Sequence, residues 1–132
     1  MISNELLGKV LEIEVNDIDY SDYIKDTVYF TTHSRGINNE EDNINIYELA
    51  HKCKEWAYRS SYDKSPTIES YLNSIDSVHS GNKATACVHF YGVHTDGSTL
   101  QKVFNAPTEP EAIFKACEWI LQQTNQKEPT SD

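Results

Sequence analysis

The sequence predicts an α+β fold, with a four-stranded, mainly antiparallel sheet, two long helices on one face of it and one short helix. Two segments with helical periodicity, residues 45–59 and 108–124, each open with a capping box, in which Asn or Thr precedes Glu by three residues. Other segments alternate polar and apolar residues with the period of a half-buried strand. Strands grouped in pairs, with helices left to cover one face, are typical of α+β folds.

The chain length of 132 residues suits a single domain with one hydrophobic core. We expect this α+β domain to span residues 1–124. It divides into an acidic strand-loop-strand region, residues 1–45, and a helix-helix-hairpin-helix region, residues 46–124. Residues 125–132 have no apolar periodicity, so they are predicted to form a flexible tail.

The N-terminal region is predicted to contain two strands. Residues 9–15 alternate apolar and polar side chains, and residues 27–33 do so with β-branched and aromatic side chains. Residues 16–26 between them are predicted to form a loop, and the polar residues 34–43 a flexible connection.

The C-terminal region begins with the helix over residues 45–59, capped by Asn45 and Glu48. Ser65 and Pro66 then predict the N-terminus of the short helix. The apolar face of this helix would consist of Ile68, Tyr71, Leu72 and Ile75. Two strands, residues 84–91 and 99–105, flank an Asp-Gly pair that predicts a hairpin turn. The closing helix over residues 108–124 is capped by Thr108 and Glu111.

Acidity is the dominant global property, with 21 Asp and Glu against 11 Lys and Arg. Residues 1–45 hold ten acidic and three basic side chains, which is seven of the ten net negative charges. Because phosphate binding needs clustered Lys and Arg, we expect no direct contact with nucleic acid. A negative field of this kind favours a partner with a basic surface.

The predicted partner-binding residues are the carboxylates and tyrosines of the acidic region. Carboxylates attract Lys and Arg, and the tyrosines supply aromatic anchors. These residues are Asp17, Asp19, Tyr20, Asp22, Tyr23, Asp26, Glu40, Glu41 and Asp42. A solvated acidic loop without a binding role is the alternative. Residues 17–22 also resemble the start of a calcium loop, but its sixth position is Asp22 instead of glycine.

The three cysteines, Cys53, Cys87 and Cys117, are predicted to be small apolar core side chains. Cys87 and His89 share a strand face, which leaves a metal site with His79 or His94 as an alternative, although paired zinc spacing is absent. A direct Cys-His proton transfer is disfavoured, because residues two apart on a strand are about 7 Å apart. We expect no cofactor, no metal and no enzyme activity.

Compartment and membrane association follow from the same composition. The odd, widely spaced cysteines form no disulfide framework, and the N-terminus has no signal-peptide pattern. No apolar run approaches the roughly 20 residues of a membrane-spanning helix. We therefore expect a cytoplasmic protein, in a bacterial host cell, with no membrane partner.

The layout of the C-terminal region is similar to a double-stranded RNA-binding domain. In that family the last helix starts with a lysine cluster that grips phosphate, whereas residues 108–112 here are acidic, so RNA binding does not carry over. The last two thirds of the chain more closely resemble small phage and prophage proteins of uncharacterised role. The similarity lies in YELAHKCKEWA, residues 47–57, and TEPEAIFKACEWIL, residues 108–121. It implies a shared fold and a mobile-element origin.

These observations favour a non-enzymatic, phage-encoded accessory protein. We expect it to bind and inhibit a host nucleic-acid-handling defence complex, in the manner of anti-CRISPR or anti-restriction inhibitors. The partner would be a host protein or ribonucleoprotein complex with a basic surface. The alternatives are an acidic immunity protein that neutralises a toxin, a metal- or cysteine-dependent enzyme, and a domain that self-associates as a homodimer.

Overall fold

The computed structural model describes residues 2–19, 26–34, 38–59, 66–73, 83–90 and 100–127. In these ranges the chain forms three helices and six strands. In chain order they are α1 (Asn4–Leu11), β1 (Val15–Asp19), β2 (Thr27–Ser34), β3 (Asn38–Asn45), α2 (Ile46–Arg59), β4 (Thr67–Leu72), β5 (Ala84–Phe90), β6 (Leu100–Ala106) and α3 (Glu109–Lys127).

The strands form two antiparallel sheets. Sheet A has the order β1-β2-β3 and sheet B the order β4-β5-β6. The predicted α+β class is confirmed, but the single four-stranded sheet is wrong. The N-terminal strands and the C-terminal hairpin belong to different sheets. Strands β1 (apart from Val15) and β3 of sheet A, and β4 of sheet B, form in segments where the sequence predicted no strand.

The strand predicted over residues 9–15 is wrong: residues 9–11 belong to helix α1, residues 12–14 follow it as a turn, and only Val15 lies in a strand. The Ser3 hydroxyl accepts a hydrogen bond from the Leu6 N–H at 3.1 Å, which caps the helix. Leu6, Leu7 and Val10 are buried on one helical face. Ile13, which the strand prediction placed on its apolar face, is 38% exposed. The helical spacing therefore buries more apolar surface than the alternation does.

Two regions predicted as irregular contain strands. Residues 15–19 form β1 inside the predicted loop, of which residues 20–25 lie outside the described ranges. Most of the predicted connection 34–43 belongs to β3, which pairs with β2 over eight residue pairs. As an edge strand, β3 pairs its backbone with β2, and its polar side chains at residues 40–43 are exposed.

The capping residues predicted for both long helices are confirmed. The Asn45 side-chain oxygen accepts hydrogen bonds from the N–H groups of Tyr47, at 2.8 Å, and Glu48, at 3.3 Å. The Thr108 hydroxyl accepts one from the Glu111 N–H at 3.3 Å. Helix α3 continues to Lys127, three residues into the predicted tail. Residues 128–132 lie outside the described ranges.

The short helix predicted from Ser65 is wrong, because residues 67–72 form strand β4. A helical stripe would bury Ile68, Tyr71 and Leu72 together. In the structure Ile68 is 8% exposed, whereas Tyr71 and Leu72 are 48% and 69% exposed. Pairing with β5 along all six residues of β4 decides the conformation. Ser65 and Ile75 lie outside the described ranges.

The predicted hairpin strands are confirmed as β5 and β6, although their connecting residues 91–99 lie outside the described ranges. From α2 to α3 the elements run helix, three-stranded antiparallel meander, helix. Helix α3 contacts all three strands of sheet B and packs against α2.

One buried cluster contains side chains from both the N-terminal and the C-terminal region. All three cysteines are buried, as predicted, and the Cys117 thiol donates to the Cys53 carbonyl at 3.5 Å where α2 and α3 meet. The Glu118 carboxylate accepts from the Ser3 N–H at 2.6 Å and from the Ser3 hydroxyl at 3.0 Å. These contacts place α1 directly against the closing helix.

Candidate functional site

The outer face of sheet A brings together three of the predicted partner-binding residues. The strand register places Asp17, Thr31 and Glu41 in one row across β1, β2 and β3. Asp19 and Tyr29 begin the next row, because residues two apart on a strand share a face.

The opposite face of the same sheet is apolar and meets the core. Ile18, Val28, Phe30 and Ile44 point inward and are all at most 9% exposed. Their burial determines the register, since a slip of one residue would move this apolar set into solvent and the carboxylates into the core. The acidic composition of the outer face is therefore a direct consequence of how the inner face packs.

A depression of about 340 Å³ lies on this outer face of sheet A. Its lining is Asp17, Asp19, Tyr29, Phe30, Thr31, Glu41 and Asp42. This lining includes four carboxylates and no Lys or Arg. Within the described part of the chain, Asp17, Glu41 and Asp42 form no ion pair, so their charge is available to a partner. We call the surface formed by Asp17, Asp19, Tyr29, Thr31 and Glu41 the acidic face.

The remaining predicted residues are distributed differently. Asp42 lines the depression, but its register partner is Phe30, which points to the core. Glu40 pairs with Thr32, so its position belongs to the other side of the sheet. Asp26 precedes β2 with a φ of 63°, and its carbonyl accepts from the Ile46 N–H at 2.9 Å. Tyr20, Asp22 and Tyr23 lie outside the described ranges.

Two residues of the acidic face were not among the predicted site residues. Tyr29 is 41% exposed and lies directly opposite Asp19. The Thr31 hydroxyl oxygen is buried in the row between Asp17 and Glu41, and it has no hydrogen-bond partner among the described residues. The alternation of the predicted strand over residues 27–33 already separates both of them from Val28 and Phe30, so this signal was present in the sequence.

The residues of the alternative calcium loop and metal site are arranged as follows. Asp17 and Asp19 belong to a paired strand, where a calcium loop would need a continuous turn. Among the residues that the structure describes, no group of three His, Cys, Asp or Glu side chains is arranged to hold a metal ion. His79 and His94 lie outside these residues.

The buried cysteines are poorly placed for nucleophilic chemistry. Burial, together with the neighbouring Cys53 thiol, raises the pKa of Cys117 well above the usual value for a thiol. A raised pKa keeps this group protonated, the opposite of an activated nucleophile. Cys87 is 5% exposed in the central strand of sheet B.

A comparison with models of protein families found no match, and neither did searches among curated proteins and solved structures. In the described ranges, no helix combines the length and apolar character needed to cross a membrane.

Proposed function

We propose that this chain is a non-enzymatic, phage-encoded accessory protein that binds and inhibits a host nucleic-acid-handling defence complex of the kind targeted by anti-CRISPR or anti-restriction inhibitors. The observation that carries the proposal is the acidic face, where Asp17, Asp19 and Glu41 line one depression together with the exposed Tyr29. The phage origin rests on the sequence resemblance of residues 47–57 and 108–121.

The arrangement suits a basic protein groove. Complexes that handle nucleic acid carry Lys and Arg where phosphates bind, and carboxylates can form charge-assisted hydrogen bonds with the same side chains. A tyrosine ring among carboxylates adds a surface on which an arginine can stack. The closing helix α3 also supports a basic partner in place of nucleic acid. Its first turn carries Glu109 and Glu111, where a phosphate-binding helix would carry lysines.

Charge neutralisation tests the proposal. The variant Asp17→Asn, Asp19→Asn, Glu41→Gln removes three negative charges from the acidic face. The matched control Glu5→Gln, Glu14→Gln, Glu48→Gln removes three exposed charges elsewhere and leaves the same net charge. Binding to a panel of purified CRISPR effector complexes and restriction enzymes would be measured at about 0.05 and 0.5 M salt, since screening weakens contacts between exposed charges.

We expect tight binding to at least one panel member at low salt, a loss at high salt, and a loss for the acidic-face variant only. Inhibition of that complex, scored by phage plating on a host that carries it, should follow the same order. Affinity that is equal for both triple variants and indifferent to salt would refute binding through this face.

A further inference from the structure

A cleft runs between the C-terminal half of α2 and strand β4, on elements separate from the acidic face. It consists of two adjoining cavities of about 440 and 500 Å³, which share Lys54, Thr67 and Ile68 in their walls. The first is mainly apolar and includes the ring of Tyr58. The second is more polar and includes His89.

The cleft opens onto the edge of β4. Four consecutive residues, 67–70, line the second cavity. Successive side chains of a strand point to opposite faces, so only the edge of the strand can present all four to one cavity. Strand β4 is the outermost strand of sheet B. Within the described ranges its backbone hydrogen bonds run to β5 alone.

Two polar groups in the cleft lack partners among the described residues. Lys54 contributes to both cavities and forms no ion pair there, whereas Glu55 and Arg59 each lie within 4.0 Å of a histidine or an opposite charge. The Nε2 atom of His89 is buried and makes no hydrogen bond, although it lies 3.4 Å from a Glu69 carboxylate oxygen. An unsatisfied buried polar atom is unfavourable, so a ligand that bonds to it gains affinity.

We propose that this cleft binds an extended peptide segment, which adds as a fourth strand to the outer edge of β4 and places an acidic side chain at Lys54. Main-chain groups of the peptide pair with β4, as in other cases of strand addition. A polar side chain of the peptide bonds to His89, which lies opposite Thr67 on the neighbouring strand β5. An apolar side chain occupies the cavity beside Tyr58 and Ile68, and four peptide residues span about 13 Å of strand edge.

The probe is an acetylated and amidated heptapeptide in which valine and glutamate alternate. Titration into the full-length, isotope-labelled protein, followed by NMR, should shift the amide signals of β4 and of the second half of α2. The same peptide with alternate backbone amides N-methylated, which removes the donors of strand pairing, should bind at least about tenfold more weakly. A peptide with lysine in place of glutamate should also bind more weakly, because Lys54 would repel it.

Matched variants localise the site. Lys54→Glu should lower affinity for the glutamate peptide about tenfold, while Lys52→Glu, a half-buried lysine two residues earlier on α2, should leave it unchanged. Tyr58→Ala should weaken binding, whereas Tyr47→Ala removes a ring with the same exposure of 56% outside the cleft and should not. The acidic-face triple variant should bind the peptide normally, so failure of either proposal is distinguishable from failure of the other.

Three results would overturn strand addition. Equal binding of the N-methylated peptide would show that main-chain pairing is not used. Equal or tighter binding of octanoate, a small carboxylate with an apolar tail, would identify a small-molecule pocket instead. Absence of any shift in β4 at millimolar glutamate peptide, with the protein folded, would show that the edge accepts no strand.

Discussion

The burial of Cys117 determines the protonation state of its thiol group. The side chain is fully buried between α2 and α3, and its Sγ donates to the Cys53 carbonyl. Desolvation penalises the thiolate, and the neighbouring Cys53 adds to the effect, so the pKa of Cys117 is raised well above 9.0. The result is a protonated, core-forming cysteine.

This raised pKa predicts a loss of stability at alkaline pH. Above the pKa of the unfolded thiol, the unfolded chain releases its proton while folded Cys117 retains it, so the free energy of unfolding falls as pH rises. The contribution is constant below that pKa and then decreases by up to about 1.4 kcal/mol per pH unit. Urea unfolding between about pH 7 and 10.5 would measure it.

Other groups also titrate in this range, so the comparison with Cys117→Ala is decisive. That variant loses packing at every pH, but its alkaline decline should be shallower than that of the wild type. Ile120→Val, which loses buried packing on the same helix without removing a titratable group, should keep the full decline. Parallel pH profiles for the wild type and Cys117→Ala would contradict the assignment.

At the scale of single elements, capping residues and apolar periodicity in the sequence predicted a helix or strand correctly where they agreed with the packing of that element. The caps at Asn45 and Thr108 mark the two long helices because a side-chain oxygen that binds a free N–H needs no tertiary partner. Strand β2 was predicted because its alternation of apolar and polar residues matches the burial of one face of the strand. The carboxylates at 17, 19 and 41 could be proposed from composition, but their common face depends on a register that the sequence does not display.

The elements that were missed depend on sheet pairing and core contacts that the local sequence pattern does not contain. Strand β3 is almost entirely polar and forms because β2 offers a full row of backbone partners. In β4, the short run of apolar residues fits either a helix or a strand, and pairing with β5 selects the strand. In α1, two periodicities overlapped, and the contacts of Leu6 and Leu7 with the core favoured the helix.

The turn from α1 into β1 depends on Gly8. Glu12 has a φ of 59° and its conformation ends the helix, while the Ile13 N–H donates to the Gly8 carbonyl at 3.0 Å. A methyl group on Gly8 would lie 2.8 Å from the Ile13 carbonyl oxygen, closer than such atoms approach each other. The chain after the helix therefore passes against this glycine.

We expect Gly8→Ala to destabilise the protein, even though alanine raises helix propensity by about 1 kcal/mol. The Ile13 carbonyl belongs to the backbone and can withdraw only by moving the start of β1. Thermal unfolding should show a lower midpoint for Gly8→Ala. Lys9→Ala, at the adjacent position of the same helix, tests propensity without this contact and should change the midpoint little. A higher midpoint for Gly8→Ala would show that the turn relaxes freely.

At the scale of the whole molecule, the contact between Ser3 and Glu118 joins residues 115 positions apart. Both carboxylate oxygens of Glu118 accept hydrogen bonds from Ser3, at 2.6 and 3.0 Å, and the same Ser3 hydroxyl caps α1. Beside this contact, Ile2, Leu6 and Leu7 are fully buried in the shared core. The position of α1 is thus coupled to the closing helix α3, and so is the turn from α1 into sheet A.

This coupling predicts that Glu118→Ala destabilises both regions together. One hydrogen bond to a charged acceptor contributes about 1.5–3 kcal/mol, so the loss of two should lower the free energy of unfolding by at least about 1.5 kcal/mol. Because α1 shares its core with α3, hydrogen exchange should accelerate to a similar extent in α1, β2 and α3. Glu48→Gln, an exposed carboxylate on α2, should leave these rates unchanged. Faster exchange confined to α1 would instead show that the helix detaches by itself while the two sheets remain folded.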